Sequence, residues 1–518
     1  MAQEPVDIID IYTDKDSDFI WLLHRAERSA LAELNVPHFL SSSDGHEIYD
    51  AAGISVQTGA ISGIDRARAR VRRFDEQDIA WQVEVIRQNT GSVSGSAGPI
   101  VGRDMRPPLR SDVSFAATPK IFIAEADKIV GELSGHAIRR GPGAAWIGFD
   151  WLGDSEICQL VPLGADLYNG TSGIAVFLAA HAFVTGREAS RELALAGISS
   201  LRKHLRSRSP ARMARSIGIG GAVGLGSFVY ALTVMSKCLH DDKLLADAQK
   251  AAELFTDDLI AADKHLDVIG GSAGGILGLL RLYRDTKSDV VLKRAEKCGD
   301  HLLGQRQIGL EGRRSWSVAG PRPQGLNGMA HGAAGFAYAL ASLSVVTGRE
   351  EFASAASECL AFEDSSYDAE RNNWPDLRSA KPFWRCQWCH GAPGIGLARI
   401  ASSRRGGLDP GLLETDIRRA LDGVERGWPH PFDTLCCGTL GSIEFLCEAS
   451  YALEQPALRD LASRRLMSVL EAAVSTGDYG WNAGNRRFNL GLFRGLAGVG
   501  YTLLRQVESS LPNVLIWE

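Results

Sequence analysis

The chain has 518 residues, of which 45% are hydrophobic and 23% charged, with 56 Lys and Arg against 62 Asp and Glu for a formal charge of −6. An apolar content this high excludes a largely disordered chain, and the acidic balance argues against a general nucleic-acid binder, which needs a basic surface. Glycine stands out at 56 residues, about one in nine against a usual share of roughly 7%, while Pro numbers only 19, so this is no Pro/Gly low-complexity chain.

The first 18 residues are acidic and lack the basic-then-apolar layout of a signal peptide. Residues 20–35 (IWLLHRAERSALAELN) and 78–89 (DIAWQVEVIRQN) read as helices too few to build a large core alone. The stretch 89–114 is rich in Gly, Ser, Pro and Arg and reads as a linker. A boundary falls near Lys120, giving units 1–119 and 120–518.

From there a pattern recurs: Gly-x-x-Gly opening an apolar helical run. It begins at Gly170, Gly221, Gly271, Gly332, Gly391, Gly438 and Gly495, in steps of 47 to 61 residues. Between these runs lie amphipathic helices, such as 189–207, 241–261 and 290–306, with apolar positions three and four apart and charges between. Seven units that each pair a charged helix with a nearly uncharged one predict an all-α fold, an α/α toroid. It has seven inner and seven outer helices and a short, mostly helical N-terminal extension. Glycine at each inner-helix start removes a Cβ where helix ends crowd, and leaves N-terminal N–H groups facing one central mouth.

Residues 217–236 carry no charge, nor do 325–348 apart from His331, and both are long enough to span a bilayer. Their place in the repeat makes them buried helices of a large core instead, so no stable membrane insertion is expected. The nine cysteines are odd in number and widely spread, unlike a secreted disulfide framework. A reducing, cytoplasmic setting follows. Cys158, Cys238, Cys298, Cys359 and Cys447 read as small buried hydrophobes, and Cys386 is left open.

Cys389 lies in WCHGAPG before the fifth inner helix, and Cys436 and Cys437 form CCG before the sixth. Neighbouring repeat mouths would bring the three sulfurs together. Three thiolates suit a soft tetrahedral ion such as Zn2+ with a fourth position open, and the helix N-termini are expected to lower the thiol pKa values. His331, in GMAHGAAG, holds the repeat position of His390 and Cys437 and should face the same cavity. Asp166, in DLYNGTSG, could orient an imidazole or cap its helix. Arg385 could reach the pocket as an anion-stabilising donor or lie in a solvated loop.

LYNGTSGIAVFLA, GMAHGAAG, RCQWCHGAPG and CCGTLG resemble the lanthionine synthetase C-like cyclase family, and more closely the C-terminal half of class II lanthipeptide synthetases, over about residues 120–518. The resemblance implies a double helical toroid with zinc at its mouth. Cys389, Cys436 and Cys437 match the ligands, the third being His in the stand-alone cyclases. His331 matches the family's acid/base histidine, Asp166 its aspartate partner and Arg385 its arginine. His390 stands where many members have tyrosine. Residues 24–39 and 78–88 resemble the tail of the dehydratase region that precedes such cyclases. Dehydratase activity is not expected from this chain alone, because no catalytic ATP or magnesium motif is present.

The implied reaction adds a peptide cysteine to dehydroalanine or dehydrobutyrine, giving lanthionine or methyllanthionine. His331 supplies a proton, Asp166 orients it, and Arg385 stabilises the enolate. The implied partners are a dehydrated precursor peptide and a separate dehydratase. Two rivals stand beside this: a different enzyme on a helical ring, such as a glycosidase, which needs two facing carboxylates, and a non-catalytic peptide- or thiol-binding module.

Overall fold

Each Gly-x-x-Gly pair opens a helix that is buried nearly all round. The computed structural model describes residues 18–57, 61–93, 117–151, 158–207, 209–308, 314–316, 325–379, 381–482 and 484–518. The seven inner helices are Thr171–Thr185, Leu225–Leu239, Ser272–Thr286, Ala333–Thr347, Ala392–Arg405, Thr439–Ala452 and Leu496–Val507. In the second, every residue but Lys237 is buried, as an apolar helix without a charged face requires. This places both uncharged stretches inside the ring, and no helix among the described residues is long and apolar enough to cross a membrane.

Each of the first six inner helices is followed by an amphipathic outer helix that packs on it. These are Glu188–Gly197, Asp242–Glu253, Asp289–Gly304, Glu350–Asp364, Pro410–Arg426 and Pro456–Thr476. Asp242–Glu253 shows the pattern, burying Leu244, Asp247, Ala248, Ala251 and Ala252 on one face. The seventh outer helix comes from the other end of the sequence: Pro119–His136 packs on Leu496–Val507. The inner helices pack neighbour to neighbour, and the last meets the first.

The loops that lead into the inner helices are tied in a closed circuit of backbone hydrogen bonds. Tyr168 N–H donates to Ala222 (3.1 Å), Ala222 to Ile269 (3.1 Å), Val268 to Ala330 (3.2 Å) and Ala330 to Cys389 (3.3 Å). Cys389 N–H donates to Cys436 (3.3 Å), Cys436 to Phe493 (3.0 Å), and Phe493 back to Tyr168 (2.8 Å). Each bond joins one repeat to the next, so the circuit fixes the mouth loops in register and satisfies their buried polar groups.

The C-terminal residues fill the ring. Val514–Ile516 form a 3-10 turn, and Leu515, Ile516 and Trp517 are fully buried. Trp517 Nε1 donates to Gly221 O (3.1 Å), while Tyr338 and Trp388 donate to the carbonyls of Ile516 (2.7 Å) and Leu515 (3.1 Å).

Strands occur only as short antiparallel pairs among the described residues, the longest being Ile147–Trp151 with Cys158–Pro162. The chain divides into two units, Met1–Val93 and Ser94–Glu518. The first carries helices Asp18–Ala32, Gly63–Val71 and Glu76–Val93 and the pair Ile48–Tyr49 with Ser55–Gln57. Most of the expected linker, residues 94–114 of 89–114, lies outside the described residues.

Candidate metal centre

The circuit sets the residues two before the first glycine of the fifth and sixth repeats, Cys389 and Cys436, side by side. Cys437 Sγ lies 3.8 Å from Cys389 Sγ and 3.2 Å from Cys436 Sγ. All three are buried, and their sulfurs lie within 4.8 Å of one another. Four sulfurs around a zinc ion at about 2.3 Å stand roughly 3.8 Å apart, so the trio has the size and chemistry of a three-thiolate site. The other cysteines whose side chains are described are not part of it. Cys238, Cys298, Cys359 and Cys447 are free and buried. Cys386 turns its thiol to Gly423 O (3.6 Å). The side chain of Cys158 is outside the described residues.

Two features of the loops explain why glycine is needed here. Gly391 has φ +105, a left-handed conformation that side chains rarely adopt. A Cβ at Gly394 would run into the Trp388 carbonyl of the same loop. Crowding therefore comes from each loop folding back on its own helix. For the same reason the first helical N–H groups do not face the mouth. Thr171, Leu225, Ala333, Thr439 and Leu496 donate to carbonyls of their own loops at 2.8–3.0 Å, and Ala392 donates to Asn373 Oδ1 (2.9 Å).

The expected lowering of all three thiol pKa values gives way to a split. Hydrogen bonds to the other two sulfurs push Cys389 up, and burial pushes Cys436 up to about 12. Cys437 is held well below the usual thiol value by hydrogen bonds from Cys389 and Cys436. The split follows from which sulfur the other two donate to, with burial dominant only at Cys436.

His331 and His390 stack beside the sulfurs, with ring centroids 5.7 Å apart at 24°. His390 is buried, with neither ring nitrogen hydrogen-bonded, and burial pushes its pKa down to about 3. His331 Nδ1 lies 2.7 Å from Asp267 Oδ2. Asp267 is thus the carboxylate that holds this imidazole. Asp166 braces the turn before its helix instead: its Oδ1 accepts from the N–H groups of Asn169 (3.0 Å) and Gly170 (3.1 Å), while the helix itself is capped by Gly170 without a side-chain bond. Burial raises the Asp166 pKa against those hydrogen bonds.

The repeat explains both aspartates. Asp166 and Asp267 each stand four residues before their first glycine, and Asp267 likewise accepts from Gly270 N–H (2.8 Å). That position meets the residue just before the glycine of the next repeat. For Asp267 this is His331. In the second repeat, where Asp166 would look, it is Gly220, which offers no side chain.

Arg385 Nε pairs with Asp376 Oδ2 (3.3 Å), and its guanidinium lies over the Phe383 ring (4.6 Å). Arg378 holds the same carboxylate (2.8 Å). Although burial opposes it, the hydrogen bond from Arg378 and the positive groups around it bring Asp376 down to about 2. Asn373 Nδ2 donates to Arg385 O (3.0 Å) and fixes that loop. The His331 loop is anchored by buried Glu363, which accepts from Gly328 N–H (2.8 Å) and pairs with Arg399 (2.7 Å).

Sequence reasoning missed Tyr168, Arg494 and Asp267. Tyr168 O–H donates to Cys436 Sγ (2.9 Å) and accepts from Arg494 Nε (3.1 Å). The signal was available for Arg494, which fills in the seventh repeat the position of His331, His390 and Cys437.

Residues 161–516 match the family described as lanthionine synthetase C-like protein. The chain is 22% identical over 509 residues to the lacticin 481/lactococcin biosynthesis protein LcnDR2 of Lactococcus lactis subsp. lactis, covering 93% of this chain and 50% of that protein. It therefore spans about half the length of that curated relative. Among solved structures it superposes on nisin cyclase with a TM-score of 0.55 and 16% identity, covering 77% of this chain and 98% of that one. An unsaturated glucuronyl hydrolase from Bacillus sp. GL1 gives a TM-score of 0.42 at 14% identity, covering 76% and 98%.

Proposed function

Because the chain belongs to the lanthionine synthetase C-like family, we propose that it closes thioether rings in a dehydrated precursor peptide. A peptide cysteine adds to the β-carbon of a dehydroalanine or dehydrobutyrine in the same peptide. The carrying observation is the buried trio Cys389, Cys436 and Cys437. These residues would hold zinc, which when bound lowers the pKa of a fourth, substrate thiol so that it is thiolate at neutral pH.

The protein's own residues complete the chemistry. The new S–C bond pushes the alkene electrons onto the neighbouring carbonyl, and Arg385 donates to that oxygen. The α-carbon then takes a proton from His331, and the proton shed by the substrate thiol makes that one good, so none is gained or lost overall. Asp267 accepts from Nδ1 (2.7 Å), leaving Nε2 as the nitrogen that hands the proton over. The His390 ring, stacked on His331, shields the imidazole from water. The peptide's mass does not change, but one thiol disappears per ring.

The test gives the purified chain an already dehydrated peptide and follows loss of alkylatable thiol by mass spectrometry. Ring closure with unchanged mass supports the reading. A Cys389→Ala variant that cyclises as fast as the parent sinks it. A parent that retains the peptide without turnover means a binding module instead.

A further inference from the structure

We propose that Tyr168 and Arg494 are positioning residues for the thiolate of Cys436, a paired outer clamp on the three-sulfur site. The inference rests on the reading of that trio as a metal site and goes beyond it.

Three observations carry it. The phenol of Tyr168, from the first repeat, reaches past the seventh to donate to Cys436 Sγ in the sixth (2.9 Å). Arg494 Nε, from the seventh, donates to the same phenol oxygen (3.1 Å). Tyr168 is held flat against Phe493, with centroids 4.9 Å apart at 20°, and the Phe493–Tyr168 backbone bond closes the mouth circuit. The phenol therefore has little freedom to leave the sulfur.

Charge explains the need. Three thiolates outweigh a divalent ion by one negative charge, and a fourth thiolate adds another, which is costly in a buried site unless compensated. A Cys in place of a His as third ligand makes this worse. Arg494 is a half-buried cation whose charge acts on Cys437, Cys436 and Cys389. A guanidinium donating to a phenol that donates to a thiolate forms a polarised chain, in which each bond strengthens the next. Its effect is to draw electron density off the Cys436 sulfur and fix that ligand's direction, as outer partners of metal ligands do.

The test uses Co2+ as a spectroscopic probe in the full chain, with Tyr168→Phe, Arg494→Gln and Arg494→Lys. The parent and all variants are expected to bind one equivalent. Tyr168→Phe should move the sulfur-to-cobalt charge-transfer band to lower energy, because the sulfur regains electron density. Arg494→Gln should do the same and weaken the ion's affinity roughly tenfold in chelator competition. Arg494→Lys, keeping the charge, should recover most of the affinity. An unmoved band and unchanged affinity in Tyr168→Phe and Arg494→Gln would overturn the clamp, even if both variants melt earlier. A parent that binds no Co2+ or Zn2+ would remove the metal reading itself, and the clamp with it.

Discussion

Asp267 Oδ2 lies 2.7 Å from His331 Nδ1, across the seam between the third and fourth repeats. The carboxylate is almost fully buried and the imidazole is 12% exposed, so the pair is fixed on one side and reachable on the other. Asp267→Asn keeps the shape but lets the ring take the wrong tautomer. We expect cyclisation to slow by roughly 100-fold, within the range that general acid–base catalysis contributes. Asp166→Ala removes both hydrogen bonds that brace the turn before the first inner helix, at a cost of about 1–3 kcal/mol of stability. It should lower the melting temperature more than the rate. Steady-state cyclisation and thermal melts of the two variants separate these roles. The reverse pattern would return the orienting role to Asp166.

The thiol trio predicts a proton count. Near pH 7 Cys437 is the sulfur already inclined to thiolate, while Cys389 is raised and Cys436 stands at about 12. Binding one divalent ion must then displace at least the protons of Cys389 and Cys436, so affinity should rise by at least about 100-fold per pH unit in this range. Calorimetry in two buffers of different ionisation enthalpy reads the number directly. Chelator treatment should release one equivalent from the parent and none from Cys436→Ala or Cys437→Ala.

His390 gives a pH signature of stability. Its folded pKa is about 3, against 6.5 for an unperturbed imidazole. The unfolded chain binds a proton that the folded one refuses, so stability falls as pH drops from about 6.5 towards 3. Between pH 7 and 5 that amounts to about 2 kcal/mol. Asp376, held at about 2 against 3.8, is ionised in both states there and adds no slope. It loses its contribution only below about pH 4. Urea unfolding in chelator should show His390→Phe with a shallower loss between pH 7 and 5 than the parent. Equal slopes would mean that His390 is solvated.

The toroid was legible because one local rule, glycine where a loop folds back on its helix, repeats seven times. The cysteine trio was legible for the same reason: Cys389 and Cys436 share a repeat position, so neighbouring repeats had to place them together. The partner of His331 depends on a finer rule, that a residue four before the glycine meets one before the glycine in the next repeat. Asp166 satisfies the motif, but the equivalent position of the next repeat is Gly220, which has no side chain, whereas Asp267 meets His331. Tyr168 was harder still. Its contact with Cys436 skips a repeat and exists only where the last inner helix meets the first. The strand pair Ile147–Trp151 with Cys158–Pro162 left no strong signal because five residues per strand are too few for a clear alternation.

Nothing in the glycine register foretold that the chain's last residues would fill its centre, and this leads to a stability prediction. Trp517 is fully buried, donates to Gly221 O and lies 6.3 Å, centroid to centroid, from both Trp388 and Phe493. Those two rings belong to the mouth loops of Cys389 and Arg494, so the tail is a floor beneath the sulfur site. Trp517→Ala would leave a cavity there and an unpaired carbonyl, costing about 3–5 kcal/mol. Trp517→Phe should cost less, because the ring remains and only the Nε1 hydrogen bond is lost. If the floor supports the site, Trp517→Ala will also weaken the hold on the metal ion, measured by chelator competition well below its melting temperature. Stability lost with metal affinity intact would make the tail a plug of the ring alone.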